Sequence, residues 1–286
     1  MSYCSKIWVV GASGRLGSAL VERLKSNTKY IVLVSDEDVR VEDRDQVLSF
    51  ADRNHPGIII NCAGLTDVNK CEEFPEEAYK VNALGARNLA IAARKLDAKM
   101  IQISTDDVFN GKDMTALCEF DTPEPVTMYG KSKLAGEKLV AELTDKHVIV
   151  RSSWVYGVKK DFVKEILDKA KNHEKILLPG NEFSSPTSAD ALAGFVEVLM
   201  NASEYGIFHA SCEGCCTRAE FAREILRQAN IKDVTVETTS DSLKLRPNYT
   251  LLDNMMLRIT NLYKMPEWKE ALADYLAKGK ENIDAK

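Results

Sequence analysis

Tyr129 and Lys133, four residues apart in Tyr129-Gly-Lys-Ser-Lys133, have the side chains that proton transfer at a carbonyl needs. Residues i and i+4 of a helix share one face, and this run opens a helical pattern. A phenol with a pKa of about 10 is a poor acid–base group at neutral pH. A neighbouring ammonium favours the phenolate and lowers that pKa. The pair can then pass a proton to or from a carbonyl oxygen while hydride moves to or from its carbon. Lys131 also flanks Ser132, but only Lys133 has the spacing. Upstream, Ser104-Thr105-Asp106 ends an apolar run. Hydroxyls at the carboxyl end of a parallel strand sit where open α/β sheets place their ligands, and one there can help to polarise a carbonyl.

A second kind of chemistry is written in Gly11-Ala-Ser-Gly14-Arg15-Leu16-Gly17. One glycine permits a tight turn, one lets the backbone approach a pyrophosphate, and one allows close helix–strand packing. A helix N-terminus then offers free N–H groups to the anion. The triplet lies between a strand and a helix, the context a dinucleotide site requires. After the second strand, Asp36 can accept from a ribose 2′-OH, which suits NAD; Arg15 and Arg40 can meet a 2′-phosphate, which suits NADP. NADP(H) is favoured and NAD(H) is the alternative. Asn61-Cys-Ala-Gly64 closes the third strand, and Asn82 stands inside a long helix, where Asn is disfavoured unless it has a polar task.

The elements that must position these residues alternate. Apolar runs at Ile7–Val10, Ile31–Val34, Gly57–Asn61, Met100–Ser104 and His147–Arg151 read as strands. Between them, 16–24, 45–54, 76–96 and 129–143 read as helices. Alternation implies parallel strands with right-handed crossovers, and continuous apolar strands imply a sheet covered on both faces. The expected fold is α/β: a Rossmann-type doubly wound parallel sheet. Residues 1–155 form the dinucleotide-binding part. Residues 156–286 form a smaller α+β, mainly substrate-binding region that interleaves with it. In that region helices are expected at 161–171, 187–202, 218–228, 254–263 and 267–278, with short strands at 206–210 and 234–237.

With 38 basic residues scattered among 43 acidic ones, the net charge of −5 offers no basic stripe for nucleic acid. No apolar run reaches the roughly 18 residues of a membrane span. The first strand starts too early to leave a targeting segment, so a cytoplasmic location is expected. Seven cysteines (Cys4, Cys62, Cys71, Cys118, Cys212, Cys215 and Cys216) are irregularly spaced, as reduced thiols would be. Cys212-Glu-Gly-Cys215-Cys216 resembles half a zinc site, but no second CxxC or HxxxH completes it, and no metal is expected.

Taken in order and spacing, GASGRLG, NCAGLTDV, ISTDDVFNG, YGKSKLAGEK, RSSWVYG and RPNYTLLDN resemble the dTDP-4-dehydrorhamnose reductase-like family of extended short-chain dehydrogenases/reductases, from Gly11 to about Trp268. The GxxGxxG spacing is that superfamily's variant. The resemblance implies NAD(P)H-dependent reduction of a 4-keto-6-deoxy sugar on a nucleoside diphosphate, by a monomer or homodimer. It implies that Tyr129 donates the proton, that Lys133 orients the nicotinamide ribose and lowers the tyrosine pKa, and that Thr105 binds the C4 carbonyl. Asp106 and Trp154 join the substrate site, the ring against the sugar; a flat apolar ring suits a deoxysugar face. Gly11, Gly14, Arg15, Leu16 and Gly17 contact the cofactor, as do Gly64, Leu65 and Thr66.

The chain departs from the family pattern in places. Asp107 stands for the tyrosine of STDYVF, Arg40 for an adenine-side aspartate, and Asn181-Glu-Phe-Ser-Ser-Pro-Thr187 for DQxGxPT. Ala19 falls where some members carry a Mg²⁺-binding carboxylate. The departures keep two other readings in view: a non-catalytic NADP-binding subunit like the regulatory subunit of methionine adenosyltransferase, and a sugar-nucleotide epimerase or dehydratase.

Overall fold

The structure is a computed structural model that describes residues 5–158, 161–240 and 246–284; Cys4 lies outside them. Five strands, β1 (Ser5–Val10), β2 (Tyr30–Ser35), β3 (Ile58–Asn61), β4 (Lys99–Thr105) and β5 (His147–Ser152), form a parallel sheet with a sixth, Gly206–His209. The spatial order is 206–209, β5, β4, β3, β1, β2. Every pairing is parallel. The sixth strand is returned by the C-terminal half, so the main sheet does not end at residue 155.

Burial on both faces explains why the strands read as unbroken apolar runs. Along β1, Ile7 and Val9 enter one core, with Leu20, Leu24, Phe195 and Phe208. Trp8 and Val10 enter the other, with Val47, Leu89 and Val140. Each fully buried side chain of this size stabilises the fold by roughly 1.5–3 kcal/mol. Trp8 also donates its indole N–H to Ser35 Oγ at 2.8 Å and stacks on Phe50. One face is covered by α1 (Arg15–Lys25), the other by α2 (Arg44–Asn54), α5 (Gly85–Leu96) and α6 (Met128–Leu143).

The long helix expected over 76–96 is interrupted. After α3 (Val68–Glu73), which the sequence reading missed, α4 (Pro75–Tyr79) runs into a π-helical turn, Lys80–Leu84, and then α5. Such single π turns gather at functional sites; this one carries Asn82. Beyond β5, α7 (Phe162–Lys171), α8 (Ala189–Asn201) and α9 (Arg218–Gln228) are joined by short strand pairs. Residues 155–156 pair with 187–188, 183–184 with 216–217, and 176–179 with 236–239. Met255–Thr260 (α10) and Trp268–Asp284 (α11) complete the chain. Among the described residues no helix is long and apolar enough to cross a membrane.

Candidate active site

Strand order reverses between β1 and β3, the crevice where open parallel sheets bind ligands. Val10 is in register with Ser35 and with Asn61, so the Gly-rich turn and the Cys62–Gly64 turn leave the sheet side by side. Asn61 shapes the second turn: its Nδ2 donates to Gln102 Oε1 at 2.8 Å, and its Oδ1 accepts from Ala63 N at 3.1 Å.

The glycines here are required. Gly11 has φ +73°, and a Cβ there would lie 2.6 Å from Ala63 N. A Cβ on Gly17 would lie 2.2 Å from Gly11 O. The N-caps of α2, α3, α6, α7, α8 and α9 each use a side-chain oxygen. Gly14 caps α1 without one, and the first turn carries no acidic residue. The N–H groups of α1 are thus left to an outside acceptor, which suits a dinucleotide's pyrophosphate. Arg15 is exposed beside them. Two other residues read as cofactor determinants are engaged within the protein: Asp36 accepts from Ser13 N at 2.9 Å, and Arg40 pairs with Glu42 at 2.6 Å.

Asn82 holds the opposite wall. Its Oδ1 accepts from Leu65 N at 2.8 Å, while Nδ2 donates to Leu65 O at 3.0 Å and to Ser132 Oγ at 2.9 Å. One buried amide therefore ties the Gly64–Thr66 segment to α6, the helix of Tyr129 and Lys133. A Cβ on Gly64 would meet Asn82 Oδ1 at 3.0 Å and Lys133 Nζ at 3.8 Å, so the ammonium faces this segment. In this cradle Gly11, Gly14, Arg15, Leu16 and Gly17 lie on one side, and Gly64, Leu65, Thr66 and Lys133 on the other.

Thr127 caps α6 by accepting from Gly130 N at 2.9 Å. Gly130 lets the helix approach the end of β4, because a Cβ there would lie 2.1 Å from Asp107 O. Tyr129 is thereby set against Thr105, whose hydroxyl lies beside the phenol. Burial raises the Tyr129 pKa above its ordinary value, and Asp107 raises it further, against smaller opposing effects from Arg246 and Thr105. This departs from the sequence expectation of a lowered value. Lys133 donates to Ile103 O at 2.6 Å, and burial lowers its own pKa to about 8. Tyr129 thus stays a neutral phenol at neutral pH, the form able to donate a proton.

Asp106, expected in the substrate site, is hydrogen-bonded within the protein on both oxygens. Its Oδ2 accepts from Thr250 Oγ1 at 2.5 Å and Ser184 Oγ at 3.1 Å, and its Oδ1 from Thr105 Oγ1 at 3.1 Å. Burial, then Asp107, push its pKa up to about 6. It fastens Ser184 and Thr250 to the end of β4. Trp154 has φ +42°, rare for a bulky residue. Arg218 lies 3.6 Å over its ring. Such outliers gather at functional sites.

Sequence reasoning missed Arg218, and Arg246 was only part of a motif. Arg218 is 3.8 Å from Glu182 and Arg246 is 3.7 Å from Asp107, beyond hydrogen-bond reach in both cases. Burial and the nearby Arg246 lower the Arg218 pKa to about 10. Among the described residues, Cys212 and Cys216 are buried and unpaired, Cys215 is exposed, and no group of His, Cys, Asp and Glu has metal-binding geometry.

A doubly wound sheet, a glycine-lined phosphate turn and a Thr–Tyr–Lys constellation at the end of β4 define an NAD(P)-dependent oxidoreductase of the short-chain dehydrogenase/reductase type. The family model described as RmlD substrate binding domain matches residues 5–281. A dTDP-4-dehydrorhamnose reductase of Aggregatibacter actinomycetemcomitans is 32% identical, covering 96% of this chain and 99% of that one. The crystal structure of a dTDP-4-dehydrorhamnose reductase from Clostridium acetobutylicum superposes with a TM-score of 0.93 at 38% identity, over 96% of this chain and 99% of that one. The Bacillus anthracis dTDP-4-dehydrorhamnose reductase, solved in complex with NADP, gives 0.92 at 36% identity, over 96% and 98%. The chain belongs to the dTDP-4-dehydrorhamnose reductase (RmlD) family.

Proposed function

We propose that this protein reduces the C4 ketone of a 4-keto-6-deoxy sugar carried on a nucleoside diphosphate, with NADPH favoured over NADH. The observation that carries the reading is the pair of hydroxyls, Thr105 and Tyr129, at the end of β4. Bound NADPH supplies the hydride that reaches the carbonyl carbon. Tyr129 gives its proton to the carbonyl oxygen, so the ketone becomes an alcohol. Its raised pKa keeps that proton in place until negative charge develops on the substrate oxygen. Thr105 can turn its hydroxyl proton from Asp106 to that oxygen. Lys133, charged below about pH 8, holds the ribose side of the cofactor. Arg218 and Arg246 supply positive charge for the diphosphate, and Trp154 packs against the deoxysugar. The reading places the reaction in the cytoplasm.

The experiment is Tyr129→Phe, assayed at the nicotinamide absorbance with a panel of nucleotide 4-keto sugars. We expect wild-type turnover and a fall of roughly 10²-fold or more in kcat, the scale of general acid catalysis, with cofactor binding retained. Equal turnover in both proteins would overturn the assignment. Cofactor binding with no turnover in either would favour the binding-only subunit.

A further inference from the structure

Asp107 departs from the family pattern, and its surroundings show what it can do. It is 2% exposed, yet its Oδ2 has no hydrogen-bond partner. Arg246 Nε, the nearest cationic atom, stands 3.7 Å away and is likewise buried and unpartnered. A carboxylate and a guanidinium kept for structure alone would close to the 2.7–2.9 Å of a charge-assisted bond. Here the charges lie near one another while neither atom has a hydrogen-bond partner. Buried polar groups left open in this way call for an explanation.

The location supplies one. Asp107 N donates to Thr105 Oγ1 at 3.2 Å. Its backbone O lies against Gly130, the neighbour of Tyr129, where a Cβ would come within 2.1 Å of it. Asp107 therefore sits at the junction of the β4 end and the start of α6, beside Thr105 and Tyr129. The neighbouring acid, Asp106, has hydrogen bonds on both oxygens. A carboxylate accepts hydrogen bonds and donates none, so its partner must be a donor. In a 4-keto-6-deoxyhexose the ring carbons beside the ketone are C5, which bears the methyl group, and C3. The donor next to the ketone is then the C3 hydroxyl.

We propose that Asp107 is the specificity-determining residue that accepts a hydrogen bond from the C3 hydroxyl of the sugar, with the Arg246 guanidinium beside it. The proposal rests on the reductase reading above. Asp107 selects sugars that keep this hydroxyl and rejects 3-deoxy sugars, because a buried carboxylate with no donor opposite it opposes binding. Sites built to hydrogen-bond a hydroxyl discriminate against the analogue lacking it far more strongly than apolar pockets discriminate by size.

The test compares dTDP-4-keto-6-deoxyglucose with its 3-deoxy counterpart, in wild type, Asp107→Asn and Asp107→Ala. We expect wild type to prefer the hydroxylated substrate by roughly 10²-fold or more in kcat/KM. Asp107→Ala should lose most of that preference, with kcat/KM for the hydroxylated sugar falling relative to that for the 3-deoxy sugar. Asp107→Asn, which keeps an oxygen acceptor but not the charge, should fall between and serves if the alanine variant does not fold. Equal losses on both sugars, or no preference in wild type, would overturn the proposal. If no variant turns over either sugar, the reductase reading fails separately. Calorimetric titration with dTDP-6-deoxyglucose and its 3-deoxy form then decides: a preference that vanishes in Asp107→Ala supports the contact, and its absence in wild type refutes it.

Discussion

Replacing Asn82 with alanine tests whether the π turn is there to position the cofactor wall. The amide makes three hydrogen bonds, two to Leu65 and one to Ser132. At about 1 kcal/mol net for each, the change removes about 3 kcal/mol from the fold. In a chain of this length that is a fall in Tm of roughly 5–10 °C. The two bonds to Leu65 fix the Gly64–Thr66 segment, and their loss must be offset when cofactor reorders that segment. If about 1.4 kcal/mol of it reappears there, Kd for NADPH rises about tenfold. Fluorescence titration of NADPH and a thermal melt measure both quantities. At saturating cofactor, kcat should fall less than the affinity does, because Thr105 and Tyr129 are set by β4 and by the Thr127 cap. A melting point and Kd both indistinguishable from wild type would refute the reasoning. So would a loss confined to kcat.

Two further predictions follow from buried charge. Glu137 and Arg151 form a two-point ion pair, at 2.7 and 3.0 Å, that is almost completely buried. Glu137→Gln leaves the guanidinium without its counter-charge and should cost about 3–5 kcal/mol by urea denaturation; a change under ~1 kcal/mol would show that the pair contributes little. Burial lowers Lys133 from 10.5 to about 8, so its ammonium is present below that pH and is lost as pH rises through it. Tyr129, shifted upwards, does not ionise in that range. The kcat/KM for NADPH should therefore decline above about pH 8, approaching tenfold per pH unit, and Lys133→Met should abolish the limb. A flat profile to pH 9.5 in wild type would contradict a role for the charged lysine.

The five strands from β1 to β5 were legible because each carries an apolar run; β1, β3, β4 and β5 are buried on two faces, while the edge strand β2 leaves Ile31 and Val34 exposed. The strand at 206–209 was legible as a strand, but its place beside β5 was not: pairing partners leave no local pattern. The strand pairs of only two residues, such as 155–156 with 187–188, were too short for alternation to show. The π turn was hidden as well, since one widened turn barely shifts the apolar face of a long helix. In the site, Tyr129, Thr105, Lys133 and the Gly-rich turn were readable from spacing. The upward direction of the Tyr129 pKa was not. Spacing placed an ammonium one helical turn away, but only the tertiary structure shows the burial and the Asp107 carboxylate that raise the phenol's pKa. Arg218 and Arg246 lie on segments far apart in the chain, and nothing local announces that they converge.

The return of Gly206–His209 to the sheet also bears on how the chain is made. During synthesis, β1 to β5 emerge first, yet the flank of β5 has no partner until the sixth strand has left the ribosome. Phe208, fully buried in the finished core, must come from that late segment. Until then the nascent chain carries an apolar, unpaired strand flank of the kind that draws neighbouring chains together. The sheet is therefore completed by a strand from well beyond residue 155, and the flank of β5 can be covered only once residues 206–209 have emerged.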